Sequence, residues 1–178
     1  MLNRLVYFSE REARCGDEAL RRLVARAALR NQERLITGLL IADRSCFIQI
    51  LEGPRTPVSL LFQAISRDRR HRNVVLVEMS EIASYSYPQW GLAQCSDPDA
   101  LKTAWRRVSR DEVWAPWPLD ALQLRAFLRI AVGAAERPTE EEREAASVHR
   151  LRPRTPRVRR RAQQESAALV PAPATGAA

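Results

Sequence analysis

The sequence predicts an α+β fold, in which one sheet carries helices on both faces. Short apolar segments rich in β-branched and aromatic residues alternate with two amphipathic helical patterns, in the order β-α-β-β-α-β-β. Two strand–helix–strand units in this order are typical of a ferredoxin-like sheet. The central hairpin is apolar on both faces, so both faces need cover. We expect two helices on one face and a C-terminal helical pair on the other.

Length and charge divide the chain into a folded part and a basic tail. The 178 residues are 46% apolar, which is enough for one domain with a substantial core. The net charge is +8, but residues 148–162 contain seven Arg and no acidic residue, which leaves about +1 (8 − 7) for the rest. We predict a core over 1–97, a helical cap over 98–137 and a disordered tail over 138–178 that could contact anionic polymers, with a brief extension of a helix over 140–144.

The first strand and helix each place a polar side chain on an apolar face. Residues 4–9 predict a strand in which Tyr7 shares a face with Leu5. The helix that follows begins with Asp17 as its expected N-cap, and its apolar stripe ends at Asn31. The opposite face is basic, with Arg21, Arg22 and Arg26. The Asn31 amide either bonds to nearby backbone at the helix end or faces a ligand.

The hairpin carries the most informative polar residue. Strands over 36–41 and 46–53 are joined by a turn over 42–45. Gln49 lies in the middle of the second strand and shares a face with Phe47 and Leu51. An amide buried there without partners costs about 1–3 kcal/mol. Whatever binds Gln49 therefore points to the function.

A second amphipathic helix follows the hairpin. Thr56 is its expected N-cap, with Pro57 at the first helical position. Its apolar stripe consists of Val58, Leu61, Phe62 and Ile65. The basic cluster 67–72 is expected in the last turn, where it is either solvated or contacts a phosphate.

The remaining elements complete the sheet. Residues 73–79 predict a strand and 83–88 a loop. Residues 90–96 predict a fifth strand, on which Trp90, Leu92 and Gln94 share one face.

The cap is expected as two helices, over 99–110 and 119–136. Trp114 and Trp117 lie in the joint between them, where we expect them to anchor the pair to the sheet. The predicted apolar face of the second helix is Leu122, Ala126, Phe127, Ile130, Ala131 and Ala134, with Arg125 and Arg129 opposite.

Several classes of function are disfavoured. The chain has no GxGxxG, no phosphate-binding loop and no HExxH motif, and His71 and His149 are its only histidines. Cys15, Cys46 and Cys95 form no CxxC pair, which suits a reducing cytoplasm. There is no apolar run of 18 residues and no signal peptide pattern. We therefore expect neither hydrolytic nor metal chemistry, and an unusual set of inward polar groups remains.

The spacing of these groups resembles that of a BLUF domain, a flavin-binding sensor of blue light. The resemblance covers about residues 3–97. The matching segments are Arg4-Leu5-Val6-Tyr7-Phe8-Ser9, Asn31 seven residues before Gly38 of Ile36-Thr37-Gly38-Leu39-Leu40, Phe47-Ile48-Gln49-Ile50-Leu51-Glu52-Gly53, Arg67-Asp68-Arg69-Arg70-His71, and Pro88-Gln89-Trp90.

The resemblance implies roles for individual residues. A flavin ring would lie between the two helices, with Asn31 on its carbonyl edge and Gln49 bridging the ring and the hydroxyl of Tyr7. The residues implied to line the flavin or its side chain are Arg30, Asp68, Arg70 and His71. Trp90 matches a third photoactive position. Two residues on, Leu92 stands where many members have Met, so an exchange of Met and Trp as the output signal is in doubt.

The resemblance also implies the function. We expect a photoreceptor that binds FAD, with FMN or riboflavin as alternatives, turns over no substrate, forms homo-oligomers and signals to a separate partner protein. The switch would be a flip or a tautomerisation of the Gln49 amide, because an amide both donates and accepts hydrogen bonds. The alternative is a light-independent interaction or nucleic-acid-binding module that uses the Arg-rich tail. Such modules usually show aromatic platforms on an open sheet face, which is expected to be covered in this chain.

Overall fold

A computed structural model of the chain describes residues 1–12, 16–110 and 115–148. Within these ranges, the elements in chain order are β1 (Leu2–Arg11), α1 (Asp17–Glu33), β2 (Thr37–Ala42), β3 (Cys46–Pro54), α2 (Arg55–Ser66), β4 (His71–Ile82), β5 (Ala93–Cys95), α3 (Pro98–Val108), α4 (Ala121–Ala131) and α5 (Glu140–Val148). A 3₁₀ turn, Val132–Ala134, follows α4. No helix in the described ranges is long and apolar enough to cross a bilayer.

The five strands form one sheet in the order β4-β1-β3-β2-β5. The β2–β5 pair is parallel and the others are antiparallel. Helix α1 therefore connects β1 to β2 across β3, and α2 connects β3 to β4 across β1. The predicted element order and the ferredoxin-like α+β fold are confirmed.

Both faces of the sheet are covered, as expected. On one face, α1 packs over Leu40 and Phe47, and α2 packs over Leu5, Tyr7 and Leu51. On the other face, α3 and α4 pack over the alternate side chains of the same strands. That second core includes Val6, Phe8, Leu39, Ile41, Ile48, Ile50, Trp105, Leu124, Phe127 and Leu128.

Two predicted helix starts are wrong, that of α1 by one residue and that of α2 by two. Gly16 is the N-cap of α1, and Asp17 is its first helical residue, where its carboxylate binds Arg11 at 2.9 Å. Helix α2 begins at Arg55 directly after Pro54, so Thr56 is not its cap. Pro57 is tolerated at the third position because the first N–H groups of a helix have no intrahelical acceptor.

Two other element boundaries in the structure differ from the predicted ones. Helix α2 ends at Ser66, so His71 and Arg72 of the basic cluster belong to β4 rather than to the helix end. Ala42 belongs to β2 rather than to the turn.

The fifth strand is shorter than predicted, and its predicted face is wrong. β5 covers Ala93–Cys95, and Gly91 before it has a positive φ of 77°. This turn breaks the alternation of side chains. Trp90 packs with the α3/α4 core, whereas Leu92 packs on the α1 side.

The cap differs from the prediction in its second helix. α4 ends at Ala131, and its buried stripe is Leu124, Phe127, Leu128 and Ala131. Leu122, which we placed in that stripe, is 67% exposed. The Trp117 ring contacts Phe8 of β1, with the centroids 4.9 Å apart, so this anchor to the sheet is confirmed. Trp114 lies outside the described residues.

The first part of the predicted disordered tail is a helix. Residues 140–148 form α5, which packs against α1 and buries Ala146. The backbone of Glu136 also pairs with Gln94 of β5 through two hydrogen bonds. Cys15, His149 and the Arg run 150–161 lie outside the described residues.

Candidate functional site

A cavity of about 480 Å³ lies between α1, α2 and the sheet. This volume is within the range of small-molecule sites. All seven residues predicted to bind a cofactor line it, namely Tyr7, Arg30, Asn31, Gln49, Asp68, Arg70 and His71. The fold thus brings together residues that are up to 64 positions apart in the chain (71 − 7). Their role in binding stays a prediction.

The floor of the cavity holds a hydrogen-bonded pair. Tyr7 on β1 and Gln49 on β3 are direct antiparallel partners, and the Tyr7 hydroxyl donates to Gln49 Oε1 over 2.5 Å. Both side chains are buried. Burial, with a smaller contribution from the charge of Asp68, raises the pKa of Tyr7, so the phenol stays protonated and acts as a donor. Among the described residues, no group accepts from Nε2 of Gln49, which leaves this donor for a ligand.

Asn31 occupies the C-terminal end of α1 and is only 2% exposed. Its side chain does not bond to nearby backbone at the helix end. Nδ2 donates instead to the carbonyl of Gly91, 60 residues away, over 3.2 Å. Oδ1 has no protein partner among the described residues, so an acceptor remains at the cavity wall.

His71 closes one end of the cavity as a neutral ring. Its Nδ1 shares a hydrogen bond with Ser9 Oγ at 2.8 Å, and its ring lies 4.8 Å from that of Phe47. Burial lowers the pKa of His71 to about 4, against the opposing influence of Asp68. At neutral pH the ring therefore adds no positive charge to the cavity.

The rim of the cavity is cationic. Asp68 and Arg70 form a two-point ion pair at the α2–β4 turn, and this hydrogen bonding lowers the pKa of Asp68. From α1, Arg30 lines the rim together with Arg26 and Arg34, which we did not predict. Their spacing of four residues along one helix face could have revealed them.

Trp90, the third predicted photoactive residue, does not line this cavity. Its Nε1 donates to the carbonyl of Gly38 over 2.8 Å, and the guanidinium of Arg137 lies 5.4 Å from the ring centroid. Leu92 lines the cavity instead. The side of the sheet on which Trp90 lies depends on the turn at Gly91, which has no reliable sequence signal.

Glu52 is a structural residue near the site that the sequence analysis missed. It is fully buried and accepts two hydrogen bonds from Arg4, at 2.9 and 2.7 Å. Its other oxygen accepts from the backbone N–H of Ser86 and Tyr87. Glu52 therefore holds the β4–β5 loop on the far face of the sheet. Its place in an otherwise apolar strand was the available signal.

The fold is a ferredoxin-like domain with a cavity between two helices and the sheet. The chain belongs to the BLUF family, described as sensors of blue-light using FAD, whose model matches residues 2–93. The resemblance noted in the sequence is thereby confirmed.

The chain spans about a fifth or less of the length of the curated relatives that it matches. The blue light- and temperature-regulated antirepressor BluF of Escherichia coli is 36% identical over 75 residues, which is 42% of this chain and 19% of that protein. The photoactivated adenylate cyclase subunit beta of Euglena longa is 33% identical over 97 residues, which is 54% of this chain and 11% of that protein.

Solved structures match over more of the chain. The ground state of BlsA has a TM-score of 0.68 at 27% identity, covering 78% of this chain and 92% of that one. The dark state of BlrB, a BLUF protein, has a TM-score of 0.59 at 25% identity, covering 72% and 96%. These matches extend beyond the core into the cap helices.

Proposed function

We propose that this protein is a blue-light photoreceptor that holds a flavin non-covalently in the cavity between α1 and α2. The observation that carries the proposal is the hydrogen bond between Tyr7 and Gln49 at the cavity floor. This bond leaves Gln49 Nε2 as an amide donor. Asn31 Oδ1 is an amide acceptor in the lining of the same cavity. The polar edge of a flavin ring offers both acceptors and an N–H donor, so the two amides fit it.

The residues around the cavity also suit a flavin side chain. Phe47, Leu40 and Leu92 supply apolar walls for the ring. Arg30 would hold anionic phosphate at the rim, since guanidinium groups bind phosphate well. Arg70, whose guanidinium is held by Asp68 in a two-point ion pair, would line the flavin side chain. This cationic rim favours FAD or FMN over riboflavin, and we propose FAD. The unit that binds it is the core over 1–97, with 98–137 as its cap.

The switch is proposed to reside in Gln49. A bound flavin supplies blue-light absorption and, once excited, a strong oxidant. Tyr7 is the adjacent phenol that can release an electron and a proton, and its high pKa keeps that proton in place in the dark. A flip of Gln49 would exchange the two ends of the amide that face Tyr7, whereas a tautomerisation would change which of its atoms donates and which accepts. The electron and the proton would return to Tyr7, so that no group is left oxidised and no substrate is turned over, while the Gln49 amide keeps the second hydrogen-bond pattern.

The signal would leave the cavity through the segment before β5. Leu92 lines the cavity, and the carbonyl of Gly91 is held by Asn31. Leu92 has no thioether, so an exchange of positions between Met and Trp cannot be the output signal. We propose instead that a change in how Leu92 packs against the cavity moves this segment. Its movement would reach the pairing of Gln94 with Glu136 and so the surface that a separate partner protein contacts.

The test is the pigment of the purified full chain. We expect a yellow protein whose flavin is released by denaturation and identified as FAD by chromatography. Blue light should shift its absorption reversibly to longer wavelength. A colourless protein that takes up neither FAD, FMN nor riboflavin would contradict the proposal.

A further inference from the structure

Helix α1 has a basic face that the cavity does not use. Arg21 and Arg22 are exposed on this face, and Arg22 pairs with Glu18 at 2.5 Å along the helix. Ala25 lies about 140° around the helix from Leu20, whose side chain faces the core. Ala25 is nevertheless fully buried, so something must cover α1 from outside.

The acidic helix α5 lies against this outer side of α1. It begins with three consecutive glutamates, Glu140, Glu141 and Glu142, and it packs against α1. A capping box starts it, because Thr139 Oγ1 accepts from the Glu142 N–H and the Glu142 carboxylate accepts from the Thr139 N–H. Glu142, Ala145 and Ala146 follow the i, i+3, i+4 spacing of one helix face, and this face is turned toward α1.

The contact between the two helices is complementary in charge but loosely packed. A groove of about 460 Å³ remains between them, lined by Arg21, Arg22, Glu142, Ala145 and Ala146 among others. Ala146 is the one buried residue of α5. In addition, Nε of Arg143 is buried with no acceptor among the described residues, which is unfavourable. These features indicate that α5 can be displaced from α1.

We propose that the basic face of α1 is a docking surface for an acidic amphipathic helix of a partner protein, and that α5 occupies this surface within the free chain. The partner helix would carry acidic residues in its first turn and small residues at i and i+1 where it approaches the arginines. This is helix-in-groove recognition, with charge setting the orientation. The inference does not depend on the flavin.

The experiment measures binding of a labelled peptide of residues 138–148 to the full chain by fluorescence anisotropy. In the unmodified chain α5 competes with the peptide. Ala146→Arg places bulk and positive charge against the arginines, which unseats α5 without changing α1. We expect this variant to bind the peptide about tenfold more tightly than the unmodified chain, because the competing state is removed. The affinity should fall as salt is added.

Controls separate docking from general charge attraction. Adding Arg21→Glu and Arg22→Glu to the unseated chain should abolish binding, whereas adding Arg106→Glu and Arg107→Glu, an exposed pair on α3, should preserve it. Glu142→Lys should also unseat α5, because it places a positive charge against the arginines. This variant replaces Ala146→Arg if circular dichroism shows that Ala146→Arg does not fold. The proposal is overturned if unseating α5 brings no gain in affinity, if a scrambled peptide binds equally well, or if the α3 reversal abolishes binding as well.

Discussion

The hydroxyl of Tyr7 donates to Oε1 of Gln49 across the β1–β3 pair, in which the two residues are direct register partners. Directly opposite side chains on one face have Cβ atoms roughly 4.5–5.5 Å apart. The sheet register therefore sets this hydrogen bond, with no contribution from a loop. A rearrangement of the Gln49 amide can then occur while the strands stay in place.

Removing the Tyr7 hydroxyl should abolish the light response and spare flavin binding. In Tyr7→Phe, Gln49 Oε1 loses its donor, so the amide has no partner with which to exchange hydrogen bonds. We expect the dark flavin spectrum to persist and the light-induced red shift to vanish, as measured by absorption before and after illumination. Tyr87→Phe is the matched control, since Tyr87 is buried on the other face of the sheet. A normal red shift in Tyr7→Phe would contradict this role.

Asn31 should contribute directly to flavin affinity. Asn31→Ala removes the acceptor at the cavity wall and the bond to the Gly91 carbonyl. The loss of one to two hydrogen bonds, about 1–3 kcal/mol, corresponds to a rise in Kd of roughly 5- to 150-fold. Titration of flavin-depleted protein with FAD, followed by fluorescence quenching, measures this change. The neighbouring Gln32→Ala, on the exposed side of α1, should leave the Kd unchanged; equal losses in both variants would refute a specific contact.

Gly91 should be intolerant of any side chain. Its φ is +77°, and a Cβ there would lie 2.1 Å from the carbonyl oxygen of Ala28. Gly91→Ala should lower the free energy of unfolding by about 2 kcal/mol or more, as measured by urea denaturation. Gly133→Ala is the control, because no atom lies within 4 Å of its added Cβ. A Gly91→Ala protein as stable as the unmodified chain would show that the turn before β5 is not held as described.

The buried His71 should make stability depend on pH. Because its pKa falls to about 4 on folding, the unfolded chain binds a proton between about pH 6.5 and pH 4 that the folded chain does not bind. The free energy of unfolding is therefore highest with respect to His71 above pH 6.5, and it falls by about 3 kcal/mol at most as the pH drops through this window. Asp68, whose pKa is lowered, changes the pH dependence of stability only below about pH 4.

The comparison for this prediction is His71→Gln, which keeps a polar group for Ser9. Urea denaturation at pH 7 and pH 4.5 should show a smaller loss of stability in the variant than in the unmodified chain. Equal losses in the two proteins would mean that another group titrates in this window.

Three residues of the site could be predicted from local periodicity, whereas Arg30, Asp68, Arg70 and His71 were expected only from the family resemblance. The alternation along β1 and β3 places Tyr7 and Gln49 on one face, and the stripe of α1 ends at Asn31 facing inward. These patterns depend on the spacing of apolar residues within one element. The cross-strand register then brings the side chains together.

The features that escaped prediction depend on turns and on contacts between distant segments. The positive φ of Gly91 moves Trp90 and Leu92 to opposite faces, and a lone glycine does not reveal its φ. The glutamate run 140–142 has the composition of a tail, yet Thr139 and Glu142 form a capping box and α1 supplies a basic partner. Local composition alone could not reveal that partner.

The most direct test of the central claim is a light-minus-dark absorption spectrum of Gln49→Leu beside that of Gln94→Leu. Leucine at 49 removes both ends of the amide that contacts Tyr7, whereas Gln94 lies on β5 outside the cavity. We predict that both proteins bind flavin and that Gln94→Leu alone keeps the reversible red shift under blue light. A full red shift in Gln49→Leu would contradict the assignment of Gln49 as the switch.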